Sequence, residues 1–273
     1  MIRIVTDSAS DITQAEAKEL GIDVLPLVTR FGMEEFKDGI DITFTEFFDK
    51  LETSEELPTT SLVSPAAYDD CFKKYPNDDV ICIVMSSKLS GCCQSAILAA
   101  SENPNVKVVD SLNVTAGERL LVVYALQLIE KGLSADEIVD LLNEKKSKIR
   151  LMAVLDTLKY LQKSGRISGV TAAFGTLLSI KPLVHVVDGE VRVLAKGKGV
   201  KGARKQLMTE IENVGEIDDT MPRCIAFSGK EDSLLQEYIA EKPEIKDLPV
   251  VTIGAVVGTH AGPGAYGEMF FVK

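Results

Sequence analysis

The stretch MIRIVTDSASDITQAEAKELG, residues 1–21, decides the fold class of this chain. Its apolar run at residues 2–5 has the length of a buried strand, and the polar segment at residues 7–11 reads as a loop. Residues 13–20 then have helical spacing and end at Gly21, a residue typical of helix C-termini. Strand, polar loop and capped helix in this order indicate an α/β protein.

The same order recurs through the first half of the chain. The further elements predicted there are strands at residues 23–28, 79–85 and 106–110, and helices at residues 45–53, 92–101, 115–131 and 134–148. The last of these helices begins with a capping box, Ser134 with Glu137. Alternating strands and helices predict a mainly parallel sheet covered by helices on both faces.

The pattern changes after about residue 150. Asp188-Gly189 between apolar runs at residues 181–187 and 190–195 predicts a β-hairpin. The other elements predicted there are helices at residues 155–161, 172–178, 202–214 and 231–239, and strands at residues 223–227 and 249–255. We therefore expect two α/β domains, residues 1–155 with a parallel sheet and residues 156–273 with a mixed sheet.

Composition excludes several classes of protein. The net charge of −11 disfavours general nucleic-acid binding, because phosphates would be repelled over most of the surface. The apolar runs are strand-sized, so no stable membrane insertion is expected, and the N-terminus lacks the apolar region of a secretory signal. These features predict a cytoplasmic protein. The five cysteines show neither a disulfide framework nor a zinc-type spacing, so reduced structural thiols and no bound metal are expected.

Four polar loops are candidates for a functional site, because ligands of parallel sheets bind at the carboxyl ends of the strands. They are TDSASD at residues 6–11, TTSLVS at 59–64, SSKLSG at 86–91 and GTHAGPG at 258–264. Thr60 and Ser61 have no evident role in a turn, so their hydroxyls can orient a ligand. Ser90 is either a helix N-cap or part of an anion site at the helix start. His260 is either a loop residue or a ligand contact.

Asp7 and Asp11 in the first loop allow two interpretations. Two nearby carboxylates can hold a metal ion or act as an acid–base pair. The interpretation we favour is that Asp11 caps the helix at residues 13–20.

Several motifs together resemble the DegV family over essentially the whole chain. In order they are TDS at residues 6–8 with Asp11, TSLVSP at 60–65, SKLSG at 87–91 with QSA at 94–96, VDS at 109–111, GRI at 165–167 and GTHAGPG at 258–264. One departure is Cys92, where the family commonly has Thr after Ser-Gly.

The resemblance implies a long-chain, palmitate-like fatty acid buried between two domains. It implies that the protein is the acyl-carrier subunit of a bacterial fatty-acid kinase, without catalysis or a cofactor of its own, and that a separate ATP-binding subunit makes the acyl phosphate. By this match Thr60 and Ser90 bind the carboxyl group, with Ser61, the Gly91 amide and His260 beside them. Arg166 and Arg204 would face the kinase.

A serine hydrolase or acyltransferase with Ser90 as nucleophile and His260 as base is the main alternative. The GxSxG elbow of such enzymes is absent around Ser90. A sugar-phosphate or nucleotide protein is a second alternative, but no glycine-rich phosphate fingerprint occurs. If the ligand is a fatty acid, none of the residues expected at its carboxyl group is a Lys or Arg. The charge would then require a protonated His260, a neutral acid or backbone N–H groups.

Overall fold

Strands and helices alternate in the computed structural model, which describes residues 1–168 and 179–273. Its strands are β1 (Ile2–Asp7), β2 (Asp23–Leu25), β3 (Val28–Phe31), β4 (Glu34–Lys37), β5 (Thr59–Ser61), β6 (Asp79–Val84), β7 (Val106–Asp110), β8 (Ile149–Val154), β9 (Ile167–Ser168), β10 (Ile180–Val187), β11 (Glu190–Lys198), β12 (Cys224–Phe227), β13 (Val250–Thr252) and β14 (Tyr266–Phe271). Its helices are α1 (Gln14–Leu20), α2 (Phe44–Thr53), α3 (Pro65–Phe72), α4 (Cys92–Ala100), α5 (Ala116–Glu130), α6 (Ala135–Lys145), α7 (Lys159–Ser164), α8 (Gly199–Asn213), α9 (Ser233–Glu241) and α10 (Ala255–Ala261). The helix predicted at residues 172–178 lies outside the described residues.

The first sheet is parallel, as the sequence predicts. Within the described residues its strand order is β2-β1-β6-β7, with every neighbouring pair parallel. Residues 80–84 of β6 are all buried, as expected for a central strand covered on both faces. The predicted capping box at the start of α6 is present: the Ser134 hydroxyl accepts the Glu137 amide. The α/β fold class is confirmed.

The second sheet is mixed. Over the described ranges its order is β13-β12-β14-β8-β10-β11-β9. The predicted hairpin between β10 and β11 is confirmed, and Asp188 and Gly189 both have positive φ, 52° and 82°, as a type I′ turn requires. The Ser86 hydroxyl donates to the Gly189 carbonyl at 2.7 Å, so this turn contacts the end of the parallel sheet.

Two central strands of the mixed sheet, β8 and β14, were not predicted. Both are almost entirely buried, so neither shows the polar–apolar alternation of a half-exposed strand. The helix predicted at residues 155–161 is instead α7, which begins at Lys159. Because β8 lies in the mixed sheet, the chain passes from one sheet to the other between β7 and β8. The domain division at residue 155 stays a prediction.

The strand predicted at residues 23–28 is split between two sheets. Pro26 has no amide hydrogen for a ladder, and β2 ends just before it. The chain then enters a small antiparallel sheet, ordered β4-β3-β5 in the described part of the structure, where Thr29 pairs with Thr60. This pairing places Thr60 next to the parallel sheet.

The strand predicted at residues 249–255 was also wrong in extent. The strand is limited to Val250–Thr252, and Ala255–Ala261 forms the short helix α10. The β-branched Val256 and Val257 favour a strand locally, so tertiary contacts override their preference. His260 consequently lies in the last turn of a helix rather than in a loop.

Glycine at position 267, the second residue of β14, is required by close packing against β8. A Cβ there would lie 2.2 Å from the Met152 carbonyl oxygen, in backbone that cannot rotate away. We expect Gly267→Ala to lower the free energy of unfolding by at least about 2 kcal/mol, as overpacking does. Urea unfolding measures this change.

The matched control is Gly202→Ala in α8, where a Cβ meets nothing closer than 3.7 Å. This variant should be neutral or gain up to about 1 kcal/mol, since alanine favours helix over glycine. Equal unfolding midpoints for the two variants would contradict the packing explanation.

Candidate functional site

A cavity of about 370 Å³ lies between the two sheets. Most of its wall is aliphatic, including Leu151 of β8, Val184 of β10 and Met269 of β14. The cavity is also lined by all five residues that the sequence assigned to ligand binding: Thr60, Ser61, Ser90, Gly91 and His260. The fold therefore brings segments from distant parts of the chain onto one cavity.

Thr60 and His260 are in direct contact although 200 residues separate them. The Thr60 Oγ1 and His260 Nε2 atoms are 3.0 Å apart. Burial, together with the positive charge of Arg166, lowers the pKa of the His260 imidazole to about 4. The ring is therefore neutral near pH 7, with one nitrogen as donor and the other as acceptor. His260 Nδ1 is buried without a partner among the described residues.

Ser90 lies two residues before α4, and Gly91 occupies the N-cap position. Its hydroxyl oxygen accepts the Cys92 amide at 3.3 Å, and the hydroxyl also lies 3.3 Å from the Cys92 sulfur. Ser90 thus satisfies one amide of the helix start, as an N-cap does, and still lines the cavity. Burial raises the pKa of the Cys92 thiol to about 12, so it stays protonated and only a weak partner for Ser90. Gly91 packs closely on Leu62, since a Cβ at position 91 would lie 2.8 Å from that side chain.

Arg166 is the charged residue that the sequence analysis did not connect with the ligand loops. Its exposed guanidinium donates to the Leu89 carbonyl at 3.3 Å and to the Ser164 carbonyl at 2.6 Å. It also lines the cavity. No ion pair joins it to a carboxylate within residues 1–168 and 179–273. The turn after α7 therefore brings a cation to the cavity wall. None of the residues that the sequence predicted to bind the carboxyl group is a Lys or Arg.

Arg204, the second base expected to face a partner, has a different environment. Its side chain is 3% exposed and forms ion pairs with Glu237 and Glu241 of α9. It is not part of the cavity wall. Its role towards a partner stays a prediction, and serving that role would require the guanidinium to leave both carboxylates.

Asp11 does not cap α1 as predicted. Thr13 occupies the N-cap position, and its hydroxyl accepts the Glu16 amide at 3.2 Å. Asp11 is buried and instead accepts the Gly254 amide at 2.9 Å and the Thr115 hydroxyl. A carboxylate next to a helix start in sequence is a good cap candidate, but the donor that Asp11 satisfies is 243 residues away.

Three carboxyl groups, Asp7, Asp11 and Asp38, are buried close to one another. Burial raises the pKa of Asp7 to about 7, of Asp11 to about 8 and of Asp38 to about 6. Asp38 was missed at the sequence level, because an acid in a polar loop carries no distinguishing signal. Among the described residues no group of three or more His, Cys, Asp or Glu has an arrangement suited to a metal ion.

The raised pKa of Asp11 predicts how stability depends on pH. The folded protein keeps a proton that the unfolded chain releases near pH ~4, so the contribution of Asp11 falls as pH rises from ~4 towards 8. The slope is at most about 1.4 kcal/mol per pH unit for one group. We expect Asp11→Asn to gain stability relative to the wild type across this range, measured by urea unfolding at each pH. A stability difference independent of pH would contradict the prediction.

Comparison with known proteins agrees with this architecture. A DegV domain-containing protein of Caldanaerobacter subterraneus is 35% identical over 280 residues, covering 100% of this chain and 99% of its own length. The structure of a fatty-acid-binding DegV family protein from Thermus thermophilus matches with a TM-score of 0.89 at 31% identity, over 100% of this chain and 99% of that one. A stearic-acid-binding protein from Eubacterium ventriosum matches with a TM-score of 0.85 at 26% identity, over 100% and 99% of the two chains. The family model described as an uncharacterised protein of the DegV family matches residues 1–273, and this chain therefore belongs to the DegV family.

Proposed function

We propose that this protein binds a long-chain fatty acid, with the carboxyl group held by Thr60, Ser90 and His260 and the tail in the aliphatic part of the cavity. The observation that carries the proposal is a single cavity that combines an aliphatic wall with this group of polar residues. The polar residues are neighbours. Thr60 contacts His260, and Arg166 donates a hydrogen bond to the carbonyl of Leu89, the residue before Ser90. Ser61 and the Gly91 amide complete the proposed head-group region.

The size of the cavity fits a long acyl chain. A protein cavity of about 150 Å³ holds one benzene molecule, so about 370 Å³ corresponds to roughly 15 carbon atoms. Each buried methylene contributes about 0.8 kcal/mol, and a tail of about 16 carbons supplies on the order of 12 kcal/mol gross. The tail therefore dominates affinity, and the polar residues orient the ligand. That the Thermus thermophilus and Eubacterium ventriosum relatives bind fatty acids supports the same ligand class here.

The positive charge beside the proposed head group comes from Arg166 rather than from His260. A protonated His260 is the option that the lowered pKa disfavours near pH 7. Arg166 supplies a nearby positive charge, and amides at the start of α4 supply donors. A carboxylate in this position would accept hydrogen bonds from hydroxyls and from a neutral imidazole.

The hydrolase alternative is less well supported. A serine nucleophile needs a base within hydrogen-bond distance. Among the described residues no hydrogen bond joins Ser90 to His260; the serine hydroxyl is next to Cys92, and the imidazole is next to Thr60.

The second part of the proposal concerns what happens to the bound acid. We propose that the protein presents the carboxyl group to the ATP-binding subunit of a fatty-acid kinase, which forms the acyl phosphate. The exposed guanidinium of Arg166 at the cavity wall supports a role at that contact. No helix within residues 1–168 and 179–273 has the length and apolarity needed to cross a bilayer.

Fatty-acid binding is tested with palmitate and Thr60→Val, a change that removes the hydroxyl with little change of shape. We expect palmitate to bind the wild type and the variant to bind about fivefold more weakly, because one hydrogen bond is worth about 1 kcal/mol. Isothermal titration calorimetry measures both affinities. Thr209→Val, an exposed position on α8, is the control and should bind like the wild type. Wild-type protein that neither binds palmitate nor contains a fatty acid in native mass spectrometry would overturn the proposal.

The kinase contact is tested with Arg166→Gln and the ATP-binding subunit of a bacterial fatty-acid kinase. We expect the wild type, palmitate and ATP to yield acyl phosphate only when that subunit is present. The variant should lower this rate more than it lowers palmitate affinity, whereas Lys163→Gln, an exposed change at the end of α7, should affect neither. Equal rates for Arg166→Gln and the wild type would remove Arg166 from the contact.

A further inference from the structure

The start of α10, the helix that carries His260, is held by carboxyl groups from the N-terminal part of the chain. No local side chain caps this helix. Instead, the Gly254 amide donates to Asp11 Oδ1 and the Ala255 amide to Asp38 Oδ1, each at 2.9 Å. Two of the amides that every helix start leaves unpaired are thus satisfied across more than 200 residues of sequence.

Gly254 allows both carboxylates to reach adjacent amides. A Cβ at this position would lie 3.1 Å from Asp38 Oδ1 and 3.2 Å from Asp11 Oδ1, closer than ordinary contacts. A larger residue would therefore push at least one carboxylate away from α10. The junction between the two carboxylates and the helix depends on this glycine.

The two carboxylates are themselves held in place. Asp38 accepts a hydrogen bond from the side chain of Ser8, and its own amide donates to the Leu27 carbonyl at 2.9 Å. Asp11 has a left-handed backbone, with φ of 53°, and its carboxyl group accepts a hydrogen bond from the hydroxyl of Thr115, a cavity residue. The start of α10 is therefore tied to the loops that follow β1 and β7 of the parallel sheet.

The middle of α10 is held from another side. A Cβ at Gly258 would lie 2.8 Å from the ring of Phe47 and 3.1 Å from the ring of Phe48. The start of α10 is bonded to Asp11 and Asp38, and its middle packs against α2, so the position of its last turn is fixed. In this position His260 Nε2 is 3.0 Å from Thr60 Oγ1.

The length of α10 makes its end sensitive to its start. Seven residues span about 10 Å, so a tilt at Gly254 is transmitted to His260 with little loss. A shift of about 1 Å is enough to break a hydrogen bond with ordinary geometry.

We propose that Asp38 and Asp11 are positioning residues, which place the His260 imidazole against Thr60 and thereby set how tightly the head group is held. This inference rests on the proposed fatty-acid function for its effect on affinity, whereas the placement of His260 can be measured without ligand.

The first measurement is a double-mutant cycle on palmitate affinity. We expect Asp38→Ala, which removes the acceptor of the Ala255 amide, to weaken binding by about fivefold in the wild type, the effect of one hydrogen bond, and to have no further effect in the His260→Ala background. Effects of Asp38→Ala and His260→Ala that multiply independently would overturn the inference. If Asp38→Ala does not fold, Gly254→Ala disturbs the same junction and is expected to show the same coupling.

The second measurement is the NMR titration of the imidazole in the absence of ligand. The chain has two histidines, so the His260 signal is identified by its loss in His260→Ala. Displacing α10 exposes the ring, and we expect its pKa to rise from about 4 towards the ordinary value of ~6.5 in Asp38→Ala.

Asp7→Ala is the matched control for that titration. Asp7 is an equally buried carboxyl group, but it accepts the amides of Ala9 and Met85 rather than those of α10. Its removal should lower stability and leave the His260 titration unchanged. The same pKa rise in Asp7→Ala and Asp38→Ala would show a general loss of packing and overturn the inference. A failure of palmitate to bind the wild type would instead defeat the proposed function and leave the titration result standing.

Discussion

The hydrogen bonds from the Gly254 and Ala255 amides to Asp11 and Asp38 are the contacts on which the rest of the site depends. They satisfy the start of a short helix that has no cap of its own, and they do so with carboxyl groups that are removed from water. Burying such groups is costly, and amide and hydroxyl donors offset part of that cost. The raised pKa values of both acids show that the cost is not fully offset.

The cavity follows from how the two sheets meet. The carboxyl ends of the parallel strands supply the polar loops, and the mixed sheet supplies most of the aliphatic wall. Because His260 is held neutral and Cys92 is held protonated, the polar part of the cavity contains hydrogen-bonding groups rather than a charged nucleophile. Arg166 adds the cation at the edge of this region. Such an arrangement suits the binding of an amphipathic acid better than its hydrolysis.

Elements with a strong local signal were predicted well, and those without one were missed. The Thr13–Gly21 helix signal, the Ser134 capping box and the Asp188-Gly189 turn all rest on contacts within a few residues, and all are present. The strands β8 and β14 are buried on both faces and have no alternation to detect. The apolar residues of α10 favour a strand locally, yet they are helical because the helix start is satisfied from a distance.

The sequence by itself determined the α/β class, the parallel sheet, the hairpin and the candidates Thr60, Ser90 and His260, because periodicity, turn chemistry and ordered motifs are properties of neighbouring residues. Only the tertiary structure decided that Asp11 accepts an amide at the start of α10 rather than capping α1. It also decided that Arg204 is buried in ion pairs and that Arg166 lines the cavity. It also decided that His260 is neutral, since the pKa of an imidazole depends on burial and on nearby charge. These properties depend on contacts that form only on folding. Residues about 200 positions apart leave no local sequence pattern that would predict such a contact.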